Sequence, residues 1–257
     1  MINVVVSGCN GAMGRVLTKA IEEMEDMTIV AGIDKNINSY KNASPVYESP
    51  LSVKEECDVI IDFSKPSNLN GLLEYSVNNN IALVIATTGF SEEEEHKIKE
   101  ASKFTRIFKS SNMSLGVNVL INLSKQATNT LANIADIEII EKHHNKKVDA
   151  PSGTAKMIAN AINKELDDSM EFNYGRSGND AKRKEKEIGI HAIRGGTIPG
   201  EHTVIFAGLD EIVEIKHTAL SKKVFAQGSI KAAQYILNKE NGSVSYTHLT
   251  LPTTERV

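Results

Sequence analysis

The chain has 257 residues, 40% hydrophobic and 24% charged, enough for one large or two modest domains with a genuine core. Its net charge of -4 argues against nucleic acid as a partner, since backbone phosphates demand a basic surface. No apolar run approaches the roughly 20 residues that span a bilayer; Met1 leads into Val4, Val5 and Val6 without signal-peptide features, and Cys9 and Cys57 lack metal or disulfide-framework spacing, so the expected setting is a reduced cytoplasm away from membranes.

Residues 4–7 read as a buried strand, after which Val16, Leu17, Ala20, Ile21 and Met24 fall on one face of a helix. Residues 28–33 read as a second strand, and 58–63 and 81–86 are further short runs rich in branched side chains, with a helix over 69–78 between them. Ser91 and Glu94 form a capping box ahead of another helix. Alternation of this kind predicts an α/β fold, a doubly wound parallel sheet with helices on both faces.

The pattern changes near Asn112. A helix over 116–133 precedes a strand over 136–141, and a second helix starts near Ser152. Three strand-like runs follow, 188–194, 202–207 and 211–217, whose short connections suggest antiparallel pairing. This half reads as a second, α+β domain. Residues 226–237 return to a helical pattern that packs back on the first domain, and the charged run 179–187 reads as a solvated loop.

Two segments carry chemistry. In the first, Gly8, Gly11 and Gly14 stand between a strand and a helix: one permits a tight turn, one lets backbone approach a pyrophosphate, and one allows close helix–strand packing. Helix amides and dipole favour phosphate there. The spacing is GxxGxxG rather than the usual GxGxxG, and Asp34, 20 residues after Gly14, strengthens it as a carboxylate for an adenosine ribose. Lys35 could neutralise a 2′-phosphate, so both NADH and NADPH are expected to be accepted.

The second segment, EKHHNKKVDAPSGTA from Glu141 to Ala155, leads from a strand into a helix. Ser152 suits the N-cap, and the amides of Gly153 and Thr154 would hold a carboxylate. His143 or His144 can supply a proton near neutral pH, and Lys147 adds a donor and positive charge. The adjacent histidines lack ligand spacing, so no metal is expected.

That segment resembles the signature of the 4-hydroxy-tetrahydrodipicolinate reductase (dihydrodipicolinate reductase) family. VSGCNGAMGR, DVIIDFSKP, IATTGF, SNMSLGVNV and IGIHAIRGGTIPGEHTVIF match the same family in the same order, over residues 1–240. The resemblance implies a Rossmann-type domain over 1–112, completed by 223–242, and a mixed-sheet domain over 113–222 that binds a small dicarboxylate and assembles a homotetramer. It implies NADH- or NADPH-dependent reduction of 4-hydroxy-tetrahydrodipicolinate in diaminopimelate and lysine biosynthesis. By motif, His143 matches the catalytic acid and Lys147 the proton donor that completes the site; His144, Gly153 and Thr154 match substrate-binding positions. Gly8, Cys9, Asn10, Gly11, Ala12, Met13 and Gly14 match the dinucleotide loop, with Asp34 and Lys35 at the ribose. Phe63, Ala86, Thr87 and Thr88, with Ser111, Asn112, Met113 and Ser114, match cofactor-lining positions, several of them on the nicotinamide side.

The chain departs from the pattern in three places. Ala12 stands where some members carry a basic residue for a 2′-phosphate, and Lys222 where an arginine is common. Residues 243–257, SVSYTHLTLPTTERV, do not resemble the family and look like translated foreign sequence, so they are expected to be poorly packed and without function. Outside the family, the residues also admit another Rossmann amino-acid dehydrogenase, such as an aspartate dehydrogenase, or a sensor that holds NAD(H) without turnover.

Overall fold

The computed structural model describes residues 1–244 and divides into two compact units. Met1–Ser114 and residues 222–244 form one; Leu115–Ser221 form the other.

The sheet of the first unit comprises β1 (Ile2–Ser7), β2 (Met27–Ile33), β3 (Val46–Tyr47), β4 (Val59–Asp62), β5 (Ala82–Ile85), β6 (Arg106–Lys109) and β12 (Gly242–Val244). Their order is β12-β6-β5-β4-β1-β2-β3, and every pairing is parallel. Strands covered on both faces need continuous apolar sequence, and β4 and β5 are buried throughout. Val5, Ile60, Leu83 and Ile107 share one core with Leu69, Leu72 and Leu73 of α2 (Leu69–Asn79) and Ile98 of α3 (Glu92–Ala101). Strand alternation then turns Val4, Val6, Val59 and Ile61 to the other face, beneath α1 (Ala12–Glu22) and α6 (Lys223–Ile236), which pack on each other. Burial of each such Leu or Ile contributes about 1.5–3 kcal/mol. Helix α1 buries Leu17 and Ile21 but ends at Glu22, so Met24 lies beyond it. The capping box forms as expected: Glu94 N donates to Ser91 Oγ at 3.2 Å and Ser91 N to Glu94 Oε2 at 2.8 Å.

The second unit has a five-stranded mixed sheet in the order β11-β10-β7-β9-β8. β7 (Asp136–His143) runs parallel to β9 (Glu187–Arg194) and antiparallel to β10 (Gly200–Ala207). β10 also pairs antiparallel with β11 (Ile212–Ala219), and β8 (Glu171–Asn173) pairs parallel with β9. The antiparallel pairing read from the sequence therefore holds for the β10–β11 hairpin only. β9 and β10 flank β7, and residues 195–199 between them can step over one strand, a span of about 10 Å. Helices α4 (Leu115–Leu131) and α5 (Gly153–Lys164) cover one face: Val117, Leu120, Ala155, Ile158 and Ile162 pack on Ile137, Ile139, Ile188, Val204 and Phe206.

The charged run 179–187 is not simply solvated. Arg183 bonds Asp136 Oδ1 at 2.7 Å and Glu138 Oε1 at 3.2 Å, while Glu187 is buried at the start of β9 and paired with Arg176. An ion-pair network of this kind is invisible to a reading of composition. Of the atypical tail, Ser243 and Val244 pair with β6 through the backbone; residues 245–257, and with them the expectation of poor packing there, lie outside the described residues. Among the described residues no helix is long and apolar enough to cross a membrane.

Candidate active site

The glycine turn links β1 to α1. Gly8 has φ +77°, and a Cβ there would lie 2.6 Å from the Phe63 carbonyl oxygen; one on Gly14 would lie 2.7 Å from Cys9 Cα. Only glycine lets the turn sit against the end of β4 and α1 close onto the turn. Gly11 is the N-cap of α1 and provides no side-chain cap, which leaves the amides of Ala12, Met13 and Gly14 without intrahelical acceptors. At the end of β2, Asp34 Oδ2 accepts Asn10 N at 3.1 Å and Oδ1 accepts Asn36 N at 3.0 Å. A carboxylate has about four acceptor sites, so both oxygens keep capacity for a ribose. Lys35 is exposed beside it. Cys9 is buried, and burial together with Asp34 pushes its thiol up to about 11, which makes it a packing group. A backbone cradle that any Cβ would fill, helix-start amides and a fixed carboxylate fit a dinucleotide.

The other predicted cofactor positions follow the carboxyl ends of neighbouring strands. Phe63 leaves β4, its amide bonded to Ser7 O at 3.0 Å; Ala86 leaves β5, its amide bonded to Asp62 O at 2.9 Å. Thr87 is buried and Thr88 exposed; Ser111 is exposed, whereas Asn112, Met113 and Ser114 are buried, with Ser114 N donating to Asn112 Oδ1 at 2.8 Å. Strand order reverses between β1 and β4, the place where open α/β sheets bind ligands. Asp62 was not among the sequence candidates. It is 1% exposed, burial holds its carboxyl above the usual range, and Ser64 Oγ and N bond it at 2.5 and 3.2 Å, with Thr87 and Ser7 alongside.

In the second unit β7 runs to His143, two residues beyond its expected end. His143, expected in a loop, is thus a strand residue. Glu141 and His143 stand two apart, so the pleat turns both to one face, and His143 Nδ1 lies 2.6 Å from Glu141 Oε2. Glu141 is fully buried and receives Arg194 Nη1 and Nη2 at 2.7 and 2.8 Å and the Ser152 amide at 2.8 Å. Burial raises its carboxyl, but Arg194, His143 and Ser152 outweigh that and hold it below the usual range. His143 is pulled below its ordinary value by burial; Glu141 opposes this, and Lys147 and Arg194 reinforce it. Lys147 Nζ pairs with Asp149 Oδ1 at 2.8 Å. His144, just beyond β7, is half-buried, and its carbonyl accepts Lys147 N at 3.1 Å.

Ser152 caps α5 as expected, its Oγ accepting Ala155 N at 3.1 Å. That places Gly153, exposed, and Thr154, buried, in the first helical turn. The turn after β9 straps the histidine segment: Gly195 N donates to His143 O at 2.9 Å and Asn145 N to Gly196 O at 3.2 Å. His202 of β10 packs edge-on against His143, with ring centroids 5.2 Å apart. Glu141, Arg194 and His202 escaped the sequence reading. A signal for two of them existed, since HAIRGGTIPGEHT belongs to a quoted motif; for Glu141 it was the i, i+2 spacing to His143. Among the described residues no cluster could hold a metal ion.

Comparison with known proteins places this geometry in a family. Residues 2–113 match the model for the dihydrodipicolinate reductase N-terminus and 116–249 that for its C-terminus. A 4-hydroxy-tetrahydrodipicolinate reductase of Clostridium tetani is 50% identical over 242 residues, 94% of each chain. One from Caldanaerobacter subterraneus is 51% identical over 242 residues, 94% of this chain and 95% of that one. A solved dipicolinate-bound dihydrodipicolinate reductase from Paenisporosarcina sp. TG-14 superposes with a TM-score of 0.79 at 23% identity, covering 98% of this chain and 100% of that one. A myo-inositol dehydrogenase from Corynebacterium glutamicum shares the fold at a TM-score of 0.60 and 12% identity, covering 94% and 90%. With both halves matched and half the residues identical to curated relatives over nearly the whole length, the chain belongs to the dihydrodipicolinate reductase family.

Proposed function

We propose that the chain is an oxidoreductase that converts 4-hydroxy-tetrahydrodipicolinate to tetrahydrodipicolinate with NADH or NADPH, in diaminopimelate and lysine biosynthesis. Family membership supports the reaction class. The observation that carries the residue roles is the buried Glu141–His143 pair, 2.6 Å apart, on the strand that leads into the Lys147 loop and the start of α5.

The bound nicotinamide supplies a hydride. The chain holds the dinucleotide by its phosphates at the amides of residues 12–14, beside the close-packed Gly8, and by a ribose at Asp34. Phe63, the residues 86–88 and the residues 111–114 line the cofactor at the carboxyl ends of β4, β5 and β6. Gly153 and Thr154 take one substrate carboxylate, His144 also binds the substrate, and Lys147 supplies positive charge. His143 and Lys147 manage the proton that balances the hydride, and the substrate hydroxyl departs as water. A small dicarboxylate suits the amides at the start of α5 and a nearby lysine loop, and the Paenisporosarcina neighbour is described as dipicolinate-bound. A homotetramer assembled through the second unit, acting in the cytoplasm, completes the reading.

The test is oxidation of NADH and NADPH by purified protein offered freshly generated substrate, with aspartate as a parallel arm. Turnover on the dipicolinate substrate is expected. Turnover on aspartate alone would make the chain an aspartate dehydrogenase, and tight dinucleotide binding without turnover would make it a sensor.

A further inference from the structure

Glu141 is surrounded by donors. Oε2 accepts from His143 Nδ1 and Arg194 Nη1, and Oε1 from Arg194 Nη2 and the Ser152 amide, at 2.6 to 2.8 Å. These four bonds fill the acceptor sites of an ionised carboxylate, which has no hydrogen of its own to give. The guanidinium is permanently charged and grips both oxygens. Nδ1 of His143 can approach such a group at 2.6 Å only as the donor, and this fixes the tautomer by its partners.

We infer that Glu141 is a positioning residue for the reaction: it holds the resting His143 as the Nδ1–H tautomer, with Nε2 as an acceptor, and ties that imidazole to the start of α5 through the Ser152 amide. One carboxylate thereby sets both the proton site and the anion cradle that begins at Gly153. A neutral His143 of this form has no hydrogen on Nε2. To act as an acid it must first take a proton from solvent at Nε2, becoming an imidazolium whose charge Glu141 offsets, then lose that same proton to the substrate and return to the Nδ1–H form. The charged and titratable groups around this cycle are Glu141 on β7, Arg194 on β9, His202 on β10 with His217 opposite it on β11, and Lys147 with Asp149 in the loop. The catalytic consequence rests on the proposed reduction; the tautomer does not.

Nitrogen NMR of histidine-labelled protein tests it, with the His143 signal identified by its loss in His143→Asn. In the wild type, Nδ1 is expected to carry the hydrogen and Nε2 the lone pair. In Glu141→Gln the preference for Nδ1–H is lost, kcat falls at least about tenfold, the kcat–pH profile shifts, and the dinucleotide Kd is unchanged. If that variant does not fold, Arg194→Gln decides: the tautomer stays, and the His143 titration moves up because an opposing cation is gone. A wild-type Nε2–H tautomer, an unchanged tautomer and kcat in Glu141→Gln, or a His143 titration that does not rise in Arg194→Gln overturns the inference. A wild type with the Nδ1–H tautomer but no reductase activity would instead sink the proposed reduction and leave Glu141's role in place.

Discussion

The Ser152 hydroxyl lies 3.1 Å from Nε2 of His202, a residue fifty positions further along the chain. Ser152 Oγ also accepts the Ala155 amide as the cap of α5; a hydroxyl keeps a second lone pair, so the bond to the ring forms with either tautomer of a neutral His202. Burial drives His202 down to about 3, with the neighbouring His143 next in effect.

His202 is therefore expected to stay neutral in the folded protein throughout the physiological range. Its folded value lies below the unfolded 6.5, so the stability it contributes is complete above about pH 6.5 and is lost as pH falls toward about 3. NMR titration should show no His202 protonation between pH 5 and 8. A midpoint near 6.5 would mean that the His202 ring is not buried as described.

Acid should also unfold the second unit through its carboxylates. Glu187 is held at about 2, chiefly by Arg176, and Glu201 at about 2, chiefly by Lys142, against an ordinary 4.5. Depressed values stabilise above the unfolded pKa, and the contribution disappears as pH falls from about 4.5 to about 2. Glu187→Gln is expected to lower stability at neutral pH and to flatten its pH dependence in that window, measured by circular dichroism in denaturant at a series of pH values.

The anion cradle can be tested without unfolding the helix that forms it. Gly153 occupies the first position of α5, where proline is well tolerated, and Ser152 before it has φ -63° and ψ 154°, which proline permits. Gly153→Pro removes one amide hydrogen and little else. Calorimetry with pyridine-2,6-dicarboxylate should show affinity reduced about tenfold, the value of one lost hydrogen bond to a charged group, at an unchanged melting temperature. Unchanged affinity would remove Gly153 from the site.

Gly14→Ala acts in the other unit. Its methyl would stand 2.7 Å from Cys9 Cα, forcing α1 away from the turn, at about 1–3 kcal/mol of stability. NADH and NADPH affinities are both expected to fall at least about tenfold, with dicarboxylate affinity preserved. Equal losses for both ligands would indicate general damage.

Much of the fold was legible because its parallel strands are buried on both faces: the apolar runs at Val4–Val6 and Ile60–Ile61 have no other comfortable place. The two-residue β3 and the three-residue β8 and β12 were not, since pairing rather than pattern makes them strands. The strand order β10-β7-β9 was hidden as well, because a chain read locally takes Gly195 and Gly196 for a hairpin turn. His143, Lys147 and the glycines stood out as candidates because their motifs resemble the family's. Glu141 was missed because its role depends on Arg194, which β9 brings from fifty-three residues away, and Asp62 because burial, not sequence, distinguishes it from a surface carboxylate.

The central claim is hydride transfer to a dicarboxylate with a proton handled at the His143–Lys147 segment. It is tested most directly with NADH in which both hydrogens at nicotinamide C4 are deuterium, turned over by the protein with freshly generated 4-hydroxy-tetrahydrodipicolinate and the product weighed by mass spectrometry. One deuterium per product molecule is predicted, at a rate lowered about a hundredfold in His143→Asn with the dinucleotide Kd unchanged. Tetrahydrodipicolinate without deuterium, or no product from intact protein, would contradict it.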